Sequence, residues 1–174
     1  MISLVLLLTC SLLVGSAYAE SKECKESDSV DAWSALTSSS GGTNPTFLLV
    51  NSTKGSPKDC LKGSAQGSGE KPNLNVTMKF KQGDKWTTTK WHFKIEGNTT
   101  TATLANRTEI GTMIYDDGNH KCHVNQLSSG DYELWKRQNS ADDSEPPCCK
   151  DVFEKKRGQK DFVEPQQKDC GEST

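Results

Sequence analysis

Residues 74–95 read LNVTMKFKQGDKWTTTKWHFKI. Leu74, Val76, Met78 and Phe80 alternate with Asn75, Thr77, Lys79 and Lys81. A strict two-residue period marks a strand with one face in a core and the other in water. Gln82-Gly83-Asp84 then turns the chain, and Thr89, Trp91, Phe93 and Ile95 alternate with Lys90, His92 and Lys94. Trp86 falls on the polar side near the strand end. Two amphipathic strands joined by a tight turn predict an antiparallel hairpin whose apolar face needs a cover.

Outward from this hairpin the pattern repeats. TTTATLA (99–105) and GTMIYDD (111–117) supply two further strands, with turns at Glu96-Gly97-Asn98 and Gly118-Asn119. KCHVNQLSSGDYELW (121–135) is a second hairpin, turning at Ser128-Ser129-Gly130. TFLLVN (46–51) is a buried strand, whereas KGSPKDCLKGSAQGSGEKP (54–72) reads as a loop rich in Gly, Ser and Lys. A short helix is expected through VDAWSAL (30–36), capped by Ser27 or Asp28. Val30, Trp33 and Leu36 recur there at helical spacing. A late helix is expected near CCKDVFEKKRG (148–158), after Pro146 and Pro147 and ended by Gly158. Seven or eight short strands in succession predict an all-β protein, either a sandwich or an up-and-down barrel. An eight-stranded antiparallel barrel is just wide enough for one small ligand.

The chain opens MISLVLLLTCSLLVGSAYA (1–19), which carries no charged side chain. The apolar run Leu4–Val14 is too short to span a bilayer, and Ala17-Tyr18-Ala19 has the small-x-small pattern of a signal-peptidase site. A secretory leader over 1–19 and one domain over 20–174 are expected, with no membrane partner. The net charge of −2, with lysines and acids interspersed, lacks the basic face that nucleic acid demands. Cys10 leaves with the leader. Cys24, Cys60, Cys122, Cys148, Cys149 and Cys170 remain, an even set that reads as three disulfides in a secreted chain. No CxxC pair is present, so no metal is expected. No GxSxG, HExxH or phosphate loop is present, so neither an enzyme nor a cofactor is expected. Sequons stand at Asn51, Asn75, Asn98 and Asn106, and any that carry glycan must face outward.

The second hairpin poses the functional question. Lys121, His123 and Asn125 share one face of its first arm, and Cys122 and Val124 the other; Glu133 and Trp135 share a face of the return arm. A solvated polar face would be routine. A late helix bearing Cys148 and Cys149 packs outside a barrel, however, which turns Cys122 outward and sends Lys121, His123 and Asn125 in. Burying such groups unpartnered costs ~1–3 kcal/mol each, a cost that a wet cavity with a polar guest removes. The opposite reading, with the cysteine inside, stays open on pattern alone. Trp33 reads as a plug at the barrel base and His92 as surface.

The stretches CHV…YELW…CC, DCLKG (59–63), VDAW (30–33), YDDGNHKCHV (115–124) and SADD…CC (140–149) resemble the tick salivary lipocalins of the tick histamine-binding protein family. The likeness is to the soft-tick group and runs over essentially the whole chain. It implies a lipocalin barrel with a short N-terminal and a C-terminal helix, bridged Cys24–Cys148, Cys60–Cys170 and Cys122–Cys149. It also implies a monomeric secreted scavenger of host mediators. Some such proteins hold histamine or serotonin, some leukotrienes or thromboxane, and some bind complement component five through their outer surface.

Amine binders resemble Cys-Asp followed by Glu-Leu-Trp or Glu-Leu-Tyr. Here Glu133 and Trp135 stand, but His123 follows Cys122. Leukotriene holders resemble this chain in a basic residue before DCLKG, here Lys58. They also share the Thr and aromatics at Thr89, Trp91 and Phe93, and a hydroxyl-contacting His at His123. An apolar wall at Phe47, Leu74, Val76, Met78 and Phe80 completes the match. The chain departs from them at Glu109 (a Gln position), Gly111 (a basic position), Lys121 (a His position) and Asn125 (an Asp position). An eicosanoid therefore fits better than an amine, with Glu109 as a repulsive charge and Lys121 as an attractive one.

Overall fold

A computed structural model of the protein describes residues 24, 29–38, 44–138, 147–167 and 170. The expected leader, Ser27, Asp28 and residues 139–146 lie outside them. The strands are β1 (Thr46–Ser52), β2 (Asp59–Glu70), β3 (Asn73–Gln82), β4 (Lys85–Glu96), β5 (Thr99–Leu104), β6 (Arg107–Asp116), β7 (Cys122–Leu127) and β8 (Tyr132–Arg137). Each pairs antiparallel with the next, and β8 pairs back onto β1, closing an eight-stranded barrel. In the hairpin that decides the fold, Leu74 lies opposite Phe93, Val76 opposite Trp91 and Met78 opposite Thr89. The two stripes thus form one inner wall. Trp86 lies opposite Lys81 on the outer side, with Lys62 Nζ 4.9 Å and Lys81 Nζ 5.7 Å from its ring centroid.

The strand that completes the barrel is β2, which the sequence reading took for a loop. Two of its glycines have a packing reason. A Cβ on Gly63 would stand 2.8 Å from Met78 Sδ, and one on Gly69 (φ +59°) would stand 2.9 Å from the carbonyl oxygen of Asn73. Register shifts between Asp59 and Lys62 and between Gln66 and Glu70 break its alternation and hide the two-residue period.

Helix α1 (Ala32–Thr37) starts at Asp31, not at Ser27 or Asp28. The Asp31 carboxylate accepts from the N–H groups of Trp33 and Ser34. Its Ala32 and Ala35 join Leu74, Val76, Ile95 and Met113 in the core at one barrel end. Trp33 packs against that cluster, and its ring is 3.1 Å from where a Cβ of Gly69 would stand. This end is the closed base, and Arg137 secures it by donating to Ser38 O at 2.6 Å.

Helix α2 (Pro147–Arg157) lies outside the barrel, with Pro147 in its first turn and Gly158 (φ +58°) after its end. Cys149, Val152 and Phe153 pack on the outer side chains Tyr115, Cys122, Val124 and Leu134. Cys122 therefore points outward, bonded to Cys149, while Cys24–Cys148 and Cys60–Cys170 are the other bridges. Beyond α2 the chain runs back along β1, with a bridge between Ser52 and Val163 and a bond from Gln167 Nε2 to Leu49 O at 2.7 Å. That strap leaves Asn51 only 4% exposed. The expected outward sequon at Asn51 is thereby corrected, because the bulge between Leu49 and Asn51 turns its side chain under the strap. Asn75 and Asn106 are exposed and Asn98 is half-buried.

Candidate ligand-binding site

The barrel encloses a cavity of about 370 Å³, in the range of small-ligand sites. Its wall follows from the period-2 rule applied to all eight strands. Phe47 and Leu49 come from β1, Ala65 from β2, and Leu74, Val76, Met78 and Phe80 from β3. Thr89, Trp91 and Phe93 come from β4, Glu109 and Met113 from β6, and His123, Asn125, Glu133 and Trp135 from β7 and β8. Thus all but one of the anticipated lining residues stand on one wall. Lys121 does not. Asp117 Oδ1 accepts its N–H at 2.8 Å in the β6–β7 bend, and its carbonyl accepts from Arg137 N–H at 2.7 Å. Strand β7 starts one residue later, so Lys121 belongs to the base rather than the cavity.

Polarity divides the cavity along its length. Towards the base, His123 is 2% exposed, with its ring edge-on to Phe47 at 4.7 Å and stacked on Trp135 at 6.4 Å. Burial, with the His120 charge nearby, lowers its pKa to about 3, so the imidazole is neutral. Its Nδ1 has no hydrogen-bond partner among the described residues. Across β7–β8, Asn125 lies opposite Glu133. Trp135 Nε1 donates to Glu133 Oε2 at 3.0 Å. Burial outweighs that bond and raises the Glu133 carboxyl above its usual value.

The mouth is cationic. It is formed by the β1–β2 loop, the start of β6 and the end of β7. Lys54, Lys58 and Arg107 line it, and the Glu109 carboxylate stands between two of them. Lys54 Nζ donates to Glu109 Oε1 at 3.1 Å and Arg107 to the same oxygen at 2.6 Å. Burial raises the Glu109 carboxyl, but Lys54 and Arg107 outweigh it and hold it below the usual carboxylate range. The charge expected to repel an anion is therefore already neutralised. Lys58 Nζ lies 6.0 Å from the Phe80 ring centroid and the Arg107 guanidinium 5.9 Å from that of Trp91.

Lys54 and Arg107 are absent from the sequence-based set. Arg107 was within reach, because inward Glu109 makes Arg107 inward by the same period. It supplies the cation that Gly111, two inward positions deeper, does not. Lys54 sits in a turn, where no period exists to aim it.

Among the described residues no cluster of His, Cys, Asp and Glu could hold a metal ion, and no helix is long and apolar enough to cross a membrane. No family model matches the chain. Moubatin from Ornithodoros moubata is 40% identical over 155 residues, covering 88% of either chain. Among solved structures, the AM182 serotonin complex superposes with a TM-score of 0.72 at 18% identity, covering 86% of this chain and 97% of that one. The siderocalin Ex-FABP, described as having dual ligand specificities, superposes with a TM-score of 0.54 at 13% identity over 76% and 95%. These two share the fold. The extent of identity to moubatin, on a closed barrel with this cavity, places the chain in the soft-tick lipocalin family.

Proposed function

We propose that this lipocalin is secreted into tick saliva and sequesters an anionic lipid mediator of the eicosanoid class in its barrel. The supporting observation is the polarity of the cavity: Lys54, Lys58 and Arg107 at the mouth, two of them paired with Glu109, above a long apolar wall. An eicosanoid offers a carboxylate for the rim, a chain for Phe47, Leu74, Val76 and Phe93, and hydroxyls for His123, Asn125 and Glu133. A hydroxyl reaching His123 Nδ1 removes the cost of an unmet buried group, ~1–3 kcal/mol. Burial raises the Glu133 carboxyl, which favours the protonated form that donates to a ligand hydroxyl over the anion that repels a ligand carboxylate.

Titration calorimetry with a leukotriene, a thromboxane analogue, histamine and serotonin tests the reading. Saturable heat with an eicosanoid is expected, and strong heat with serotonin alone refutes it. Lys58→Ala weakens leukotriene binding about two- to fivefold, the worth of one exposed charge contact, and leaves amines unchanged.

A second reading, a biogenic amine scavenger, draws on Glu133 beside Trp135 and on the structural neighbour solved with serotonin. An ammonium would draw the Glu133 proton away and rest on the Trp135 face. In that case Glu133→Gln abolishes amine binding.

A further inference from the structure

The mouth carries an ion pair that the barrel architecture does not require. Lys54 follows β1, whereas Glu109 is on β6. These strands are not neighbours; β1 pairs with β2 and β8, β6 with β5 and β7. The Lys54–Glu109 contact, 55 residues apart in sequence, therefore reaches across the opening. The loop it restrains is itself part of the cavity wall, through Gly55, Ser56, Pro57 and Lys58. The root of that loop is fixed independently. Thr53 N–H donates to Tyr132 O at 2.9 Å, and Thr53 Oγ1 bonds both Asp131 Oδ1 at 3.1 Å and Tyr132 N–H at 2.8 Å. Only the Lys54 side chain ties the loop to the opposite wall among the bonds described.

We infer that Glu109 is a tethered competitor for the rim cations: its carboxylate occupies the anion position on Lys54 and Arg107, and a ligand carboxylate enters by displacing it. Three features carry this. One Glu109 oxygen takes both cations, the arrangement a ligand carboxylate would adopt. The three side chains are 35–61% exposed, so the contact is weak and exchangeable rather than structural. Displacement trades one carboxylate for another, so an acid enters at little electrostatic cost. A neutral ester cannot make that trade. Glu109 thus tempers the rim's pull on a charged headgroup and ties the loop across the mouth.

The inference rests on the anionic-ligand reading, and the test separates the two. Dissociation constants for a leukotriene and its methyl ester are measured with the full mature chain, Glu109→Gln, Lys54→Met and the double variant. Glu109→Gln is expected to tighten the acid about two- to fivefold while leaving the ester unchanged. In the Lys54→Met background that gain should shrink, because a cation it contested is gone. Acid binding that is unchanged or weakened in Glu109→Gln overturns the inference, as does equal tightening of acid and ester. If the protein binds neither compound, the anionic reading fails, and carboxyl NMR titration of the free protein still decides the clasp. Glu109 should titrate higher in Lys54→Met than in the native chain; an unmoved Glu109 overturns it.

Discussion

His123 and Glu133 face the same cavity and respond to pH in opposite directions. The His123 pKa falls from 6.5 unfolded to about 3 folded. Below pH 6.5 the unfolded chain binds a proton that the fold refuses, so this group costs stability as pH falls towards 3. Glu133 is raised above 4.5. Its contribution is complete below pH 4.5 and is lost as pH rises, because the unfolded chain then releases a proton that the fold retains. Above pH 4.5 the two slopes oppose one another, until pH passes the folded Glu133 value or the unfolded His123 value of 6.5. Glu133→Gln should therefore gain on the native chain as pH rises from 5 to 8, by up to about 1.4 kcal/mol per unit while the shift lasts. Thermal unfolding of both chains across that range checks it; a constant difference in Tm contradicts a raised Glu133 carboxyl. Both residues were visible in the sequence as members of polar faces on the two arms of the hairpin, with the direction of those faces open. Their protonation was not, since it depends on what surrounds them after closure.

Among the elements, α2 and the strap behind it cover the outer side of β7, β8 and β1. Phe153 is fully buried there, edge-on to Phe162 at 5.9 Å. Phe153→Ala should lower the unfolding free energy by about 3–5 kcal/mol, read by denaturant titration, without altering the cavity wall. The strap also decides glycosylation. Glycopeptide mapping of secreted protein should find glycan at Asn75 or Asn106 and none at Asn51. Occupancy at Asn51 would show that the strap is displaced. Elements with clean alternation were legible: β3, β4 and β7 lie where their periods put them. Strand β2 was not, because Gly63 packs against Met78 on the neighbouring strand and its bulges interrupt the period. The α1 cap was misplaced for a related reason, with several capping residues before Ala32 and only tertiary docking to choose Asp31.

The whole molecule is a barrel plugged at its base by α1, stapled along one side by α2 and three disulfides, and open at a cationic mouth. Strand count left a sandwich and a barrel open and pattern left the direction of the β7 polar face open; the resemblance to tick lipocalins implied the closed barrel that the structure shows. The mouth was only half readable, because a loop side chain, Lys54, completes it. With cations around an opening of low-dielectric wall, association with an anionic lipid should slow as salt rises from 10 to 500 mM, measured by stopped-flow fluorescence of the cavity tryptophans; a salt-independent rate would remove the steering role of the rim. The account turns on how a guest lies in the barrel, and a crystal structure of the leukotriene complex tests that most directly. It should place the carboxylate on Lys54, Lys58 or Arg107, the chain along Phe47 and Phe93, and a hydroxyl within hydrogen-bond reach of His123 or Glu133. A carboxylate buried at the base, or a ligand bound outside a collapsed barrel, contradicts the account.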